Sequence, residues 1–209
     1  MKYIQGKCEN TIVIQKSRFI AEAYRVNTVE EVEEILTAIR KKYYDATHHC
    51  FAYRLKDNIQ KMSDDGEPAK TAGAPILDVI LKRDITNILI VVTRYFGGIL
   101  LGAGGLVRAY SGAASAVLDQ APLYKLSEQN KFQLTCSYSS YQTILKTMKY
   151  IQIENTSFLT EVTILGYCKK ELFSKLKEDC YTYKIGDTQI MDLGVFPIEV
   201  PDDDGTLIE

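Results

Sequence analysis

The apolar run "NILIVVTRY" (87–95) leads straight into "FGGILLGAGG" (96–105), a stretch with five glycines, and helical periodicity begins at once behind it. A strand, a glycine loop and a helix in this order restrict the chain to folds in which helices pack on a sheet. The arrangement also presents free backbone N–H groups and the positive end of a helix dipole to an anion, and phosphate fits it. The named nucleotide loops do not. No Gly-Lys-Ser/Thr occurs, and Gly-x-Gly-x-x-Gly fails because Gly102 and Gly104 are followed by Val107. Arg94 stands just before the loop and Arg108 on the polar face of the helix behind it, so two guanidiniums could converge on an anion held by the amides. The candidate phosphate or nucleic-acid contacts are Arg94, Gly97, Gly98, Gly102, Gly104, Gly105 and Arg108, with Lys70 added from another motif. The alternative is that the glycines only let helix and strand approach closely.

With 46% hydrophobic and 25% charged residues in 209, the chain can bury one sizeable core or two small ones. A net charge of -2 excludes a generally basic nucleic-acid coat, so any anion site is local. The first sixteen residues hold no apolar core of signal-peptide length, and the longest aliphatic run is "ILIVV" at 88–92, which predicts a protein without a membrane segment. Five cysteines without a C-x-x-C pair argue against a disulfide framework or a cysteine zinc site, and a reducing cytoplasm is the expected location.

Along the chain, "NTIVIQ" and "RFIAEAYRV" read as strands that meet near Lys16 and Ser17. Thr28 and Glu31 form a capping-box signature ahead of a helix striped by Val32, Ile35, Leu36, Ile39 and Tyr43. "THHCFAYR" (47–54) is a third strand, "LKDNIQKMSDDGEPAK" (55–70) a polar loop long enough to be functional, and 71–82 a helix with Pro75 in its first turn. "NILIVVTRY" has the composition of a strand buried on both faces. Behind the glycine loop, Leu106, Ala109, Tyr110, Ala113 and Val117 mark the buried side of a helix, Arg108, Ser111 and Ser115 the other. Apolar periodicity lapses in "APLYKLSEQN", which places domains at 1–124 and 130–209. The second half reads as strand "KFQLTCSY", a helix behind a Ser139 or Ser140 cap, strands "IQIEN" and "FLTEVTILGY", a helix around Leu172, Phe173 and Leu176, and strand "TQIMDLG". That order, βαββαβ, is the ferredoxin-like pattern. "PDDDGTLIE" reads as a frayed acidic tail.

His48, His49 and Cys50, followed by Asp64, Asp65 and Glu67, raise a metal or hydrolase reading. Strand alternation puts His48 and Cys50 on one face and His49 on the other. The metal set would be His48, Asp64, Asp65 and Glu67, at spacings that match neither a helical H-E-x-x-H nor an EF-hand loop. "SDDGEP" equally reads as a turn whose carboxylates accept backbone N–H bonds or cap the helix near Thr71, or as carboxylates that bind Arg94 or Arg108. No serine has a G-x-S-x-G setting, and neither a catalytic residue nor a cofactor is assigned. Tyr44, Tyr53, Tyr95 and Tyr110 frame these motifs and could stack on unpaired bases, although most of the fourteen tyrosines are expected to pack.

"HHCFAYR", "SDDGEPAKTAGAPIL" and "VVTRYFGGILLGAGGLVRAY" together resemble the IMPACT family, in its bacterial YigZ-like branch. The resemblance implies a two-domain α/β (α+β) chain with two layers in each domain. The N-terminal domain would be of the ribosomal-protein type seen in domain IV of elongation factor G, and the C-terminal one ferredoxin-like, similar to that factor's domain V. Eukaryotic relatives carry an extra N-terminal partner-binding domain and act on translation initiation through an amino-acid-starvation kinase pathway; these 209 residues leave no room for that domain. Lys70 departs from the small residue expected after "SDDGEPA" and adds a positive charge. The expectation is a non-enzymatic RNA- or ribosome-associated protein, linked to translation regulation and able to take a protein partner there. A divalent-metal- or phosphate-dependent hydrolase and a pure protein–protein regulator are the alternatives.

Overall fold

The computed structural model describes residues 1–183 and 188–202. Two compact units divide the described residues: Met1–Lys125, which Pro201 and Asp202 rejoin, and Leu126–Val200.

After a short β1 (Lys2–Ile4), the first unit builds one antiparallel sheet from β2 (Lys7–Ile14), β3 (Ser17–Arg25), β4 (His48–Arg54), β5 (Gln60–Ser63) and β6 (Ile88–Tyr95). The spatial order is β2-β3-β6-β4-β5. The central β6 is buried from Ile88 to Arg94, as the run "ILIVV" dictates, and helices cover both faces. On one face α2 (Gly73–Lys82) and α3 (Gly102–Asp119) enclose Phe19, Ala21, Cys50, Ile90 and Val92. On the other, α1 (Val29–Lys42) lays Val32, Leu36 and Ile39 against Phe51, Tyr53, Leu89 and Val91. The unit thus has three layers where two were expected, because its central strand is apolar on both sides. Thr28 caps α1 as read, its Oγ1 accepting the Glu31 N–H at 3.2 Å while Glu31 Oε2 accepts from Asn27 N at 2.7 Å.

The 55–70 segment departs from its reading as an unbroken loop. It contains a helical turn at Lys56–Asn58 and then β5, an edge strand whose exposed side chains give it no apolar alternation.

In the second unit β7 (Leu123–Cys136), α4 (Tyr138–Thr147), β8 (Gln152–Phe158), β9 (Val162–Lys169), α5 (Phe173–Thr182) and β10 (Gln189–Pro201) follow in the βαββαβ order. The strands lie as β10-β7-β9-β8, over a core of Phe132, Leu134, Ile144, Ile164 and Leu176. Three local readings change. β7 runs from Leu123 straight through "YKLSEQN", where Tyr124 to Glu128 are partly or fully exposed and the buried pair Gln129 and Asn130 is polar, so apolar periodicity fades without any break in the strand. Ser137, not Ser139 or Ser140, caps α4, since it alone is extended and accepts Ser140 N at 3.2 Å. "FLTEVTILGY" splits, with Phe158 ending β8 and Val162 opening β9. The start of the acidic tail is anchored in the first unit: Asp202 N donates to the Leu123 carbonyl at 2.8 Å, and its carboxylate lies 2.5 Å from Lys2 Nζ and 2.9 Å from Lys125 Nζ. The rest of that tail, 203–209, lies outside the described residues. Among the described residues no helix is long and apolar enough to cross a membrane.

Candidate functional site

Four connections meet at one end of the first sheet: the β2–β3 turn at 15–16, the α1–β4 loop at 43–47, the β5–α2 loop at 64–72 and the glycine loop at 96–101. The acidic motif organises this end from inside. Asp64 caps α2 from a distance, its Oδ1 accepting Ala72 N at 3.0 Å and Gly73 N at 2.8 Å and its Oδ2 accepting Lys70 N at 2.8 Å. Partial burial acts to raise its pKa, and the three N–H donors outweigh that, holding the carboxyl below its ordinary value. Asp65 grips both histidines. Its Oδ2 accepts His49 N at 2.6 Å, and its carbonyl accepts the His48 Nδ1–H at 2.7 Å, which fixes that tautomer.

Glu67 is 8% exposed and receives Arg94 Nη1 at 2.6 Å and the Tyr110 hydroxyl at 2.7 Å. His48 Nε2 stands 3.9 Å from the same carboxylate oxygen. Cys50 Sγ lies 3.0 Å from the Asp64 carbonyl and 3.4 Å from Tyr110 Oη, and burial pushes its thiol far above the ordinary range. It is therefore no thiolate nucleophile.

The phosphate set read from sequence consequently splits. Arg94 is only 5% exposed, faces Phe19 at 5.3 Å and is committed to Glu67, so it leaves the set of surface contacts. It realises the alternative in which a motif carboxylate binds an arginine. Register carries this information: residues 88, 90, 92 and 94 share the face that α3 covers. The metal set is not assembled either, since Asp64 and Asp65 are spent on backbone N–H groups and Glu67 on Arg94 and Tyr110. Among the described residues no group of three or more His, Cys, Asp or Glu is placed to hold a metal.

What remains outward is the glycine loop and the start of α3. Phe96 N donates to Thr47 Oγ1 and Gly97 N to Ser17 Oγ, both at 3.1 Å, and these two anchors carried no sequence signal. Gly97 is obligatory, because a Cβ there would collide with the Lys16 carbonyl and Ser17 N. Gly98 and Gly102–Gly104 are exposed, and Gly102 takes φ +67°. The first turn of α3, Gly102–Gly105, has neither a capping side chain nor an acid. Arg108 is exposed and folds back over this turn, its Nη1 3.6 Å from where a Gly104 Cβ would stand. A cation at a helix N-terminus opposes the dipole. An anion bound there would satisfy both. Lys70, also exposed, stands on the neighbouring loop at φ +64°. Of the framing tyrosines, Tyr53 and Tyr110 are core, Tyr95 is partly buried and Tyr44 is 84% exposed.

The Impact N-terminal domain model matches residues 15–118, which contain every residue of this site. An IMPACT family member of Haemophilus influenzae is 37% identical over 166 residues, covering 76% of this chain and 81% of that one. The IMPACT family member YvyE of Bacillus subtilis is 52% identical over 113 residues, and the match spans about half of its length, 52%. A crystal structure of a hypothetical protein aligns over 91% of this chain and 95% of its own with a TM-score of 0.58 and 28% identity.

Proposed function

Taking as premise that the chain belongs to the IMPACT family, we propose that it is an RNA- or ribosome-associated binding protein of the translation machinery's periphery, acting without catalysis in the cytoplasm. The observation that carries this reading is the start of α3: four residues without a capping side chain or an acid, with the Arg108 guanidinium laid over them. Such a terminus offers N–H donors and a positive dipole to a phosphate, and Arg108 adds a charge that is unfavourable there until an anion arrives. Lys70 supplies a second exposed cation on the β5–α2 loop, at the same end of the sheet. With a net charge of -2, attraction to RNA has to come from this patch. Translation control is the setting that the family resemblance suggests. The hydrolase alternative finds its carboxylates engaged with backbone N–H groups and Arg94, and its thiol buried and neutral.

The test is salt-titrated binding to RNA and to ribosomes from cytoplasm, with and without nuclease, for the wild type and for Arg108→Gln combined with Lys70→Ala. Two neutralised phosphates give a slope of log affinity on log salt of roughly -1.5, flattening toward zero in the double variant. Stability changes by less than about 0.5 kcal/mol, since both side chains are exposed. Protein partners retained after nuclease treatment, with no salt-dependent RNA binding, would replace this reading with the protein–protein regulator.

A further inference from the structure

The loop between β6 and α3 is apolar where a purely electrostatic phosphate site has no need of apolar side chains. Phe96 is 46%, Ile99 42% and Leu100 85% exposed. These side chains are held out rather than left loose, because the loop is pinned by Phe96 N to Thr47, by Gly97 N to Ser17 and by the contact of Gly97 with the Lys16 backbone. Two consecutive aromatic rings here each lie against a guanidinium. The Arg18 guanidinium is 4.4 Å from the Tyr95 ring centroid, and that of Arg94 5.5 Å from the Phe96 centroid.

We propose that this loop is a stacking platform for unpaired RNA bases, so that the RNA held at the α3 terminus is single-stranded or looped out and not a regular duplex. The inference rests on the RNA-binding reading above and deepens it. A duplex offers a protruding loop its phosphates and riboses, which leave Phe96, Ile99 and Leu100 uncovered, whereas unpaired bases bring π faces that stack on aromatic and guanidinium planes whatever their sequence. Charge complementarity selects the occupant: an apolar platform that runs directly into a bare helix N-terminus overlaid by Arg108 matches a chain that alternates bases with phosphates. An acid-poor apolar peptide would leave that positive charge unanswered.

The experiment uses the full chain and a labelled twelve-nucleotide RNA of mixed sequence, alone and annealed to its complement, followed by fluorescence anisotropy. The single strand is expected to bind about tenfold more tightly than the duplex, and Phe96→Ala to weaken the single strand about tenfold while leaving the duplex unchanged. Leu100→Ser, at the most exposed position of the loop, should cost roughly threefold for the single strand alone and serves where Phe96→Ala disturbs folding. Arg108→Gln should weaken both forms. Equal affinity for both RNAs, insensitive to Phe96 and Leu100 yet sensitive to Arg108, would sink the platform and leave the RNA reading standing. No binding of either RNA would remove both. A protein partner lost on Leu100→Ser, with no RNA bound, would overturn the platform in favour of a protein-docking loop.

Discussion

The two ends of the first sheet each hold four non-glycine residues at positive φ, and they fill those positions with different side chains. At the end away from the glycine loop they are Asp57, Asn58, Asp84 and Asn87; at the glycine-loop end they are Gln15, Lys16, Asp65 and Lys70. Asn and Asp tolerate the left-handed region because their short polar side chains bond locally, whereas other residues pay about 1–2 kcal/mol to stay there. The far end uses this chemistry to close the fold: Asn87 Oδ1 accepts Lys56 N at 3.1 Å, its Nδ2 donates to Asn27 Oδ1 at 3.0 Å, and Asp84 Oδ1 accepts from Arg54 at 3.2 Å. The glycine-loop end instead combines strained long side chains with exposed apolar groups, an uncapped helix and a buried ion pair. One end is shaped for stability, and the other departs from that rule in the way functional surfaces do.

The largest test of this contrast removes one charge from each end. Glu67→Gln leaves Arg94 buried without its carboxylate and should cost about 3–5 kcal/mol. Asp84→Asn keeps a residue that tolerates positive φ and loses two surface ion pairs, with the N-terminal ammonium at 3.0 Å and Arg54 at 3.2 Å, together worth about 1 kcal/mol. Urea melts on both variants measure this directly, and equal losses would erase the distinction between the ends.

An intermediate effect is expected from acid. Because the folded pKa of Asp64 is depressed, its capping of α2 stabilises the protein above the unfolded value and is lost as pH falls through the lower folded value. Asp64→Asn should therefore flatten the stability profile below about pH 4, at a cost near 1 kcal/mol in neutral solution. Melts between neutral and acid pH check this, and an unchanged acid slope would mean that Asp64 is dispensable to the loop.

The smallest effect has the opposite sign. Gln15 and Lys16 occupy a two-residue hairpin that Asn-Gly fills without strain, and Lys16→Gly should stabilise by about 0.5 kcal/mol. A loss of stability would mean that the Lys16 side chain supports the glycine loop packed against its backbone.

The order of strands and helices was legible because periodicity reports burial, although the third layer of the first unit was not expected. The ferredoxin-like order, the Thr28 cap and the opposite faces of His48 and His49 all came from period and cap chemistry. β5 was not legible, as an exposed edge strand has no apolar face to advertise. Arg94 was misplaced because nearness to the glycines outweighed its alternation with Ile90 and Val92, and the loop's outward Phe96, Ile99 and Leu100 look in sequence like more core. Which apolar residues are left in water depends on anchors, Ser17 and Thr47, that come from distant parts of the chain.

The pairing of Asp202 with Leu123, Lys2 and Lys125 makes the second unit a guest whose entry and exit are fastened side by side on its host. A guest inserted in this way can be excised: joining Lys125 to Pro201 through a short linker removes Leu126–Val200 and leaves the host's chain path intact, β1 and its salt bridges included. Cleavage between Val200 and Pro201 leaves the guest covalently joined through Lys125, whereas cleavage between Lys125 and Leu126 leaves it linked only by the non-covalent contacts of Asp202.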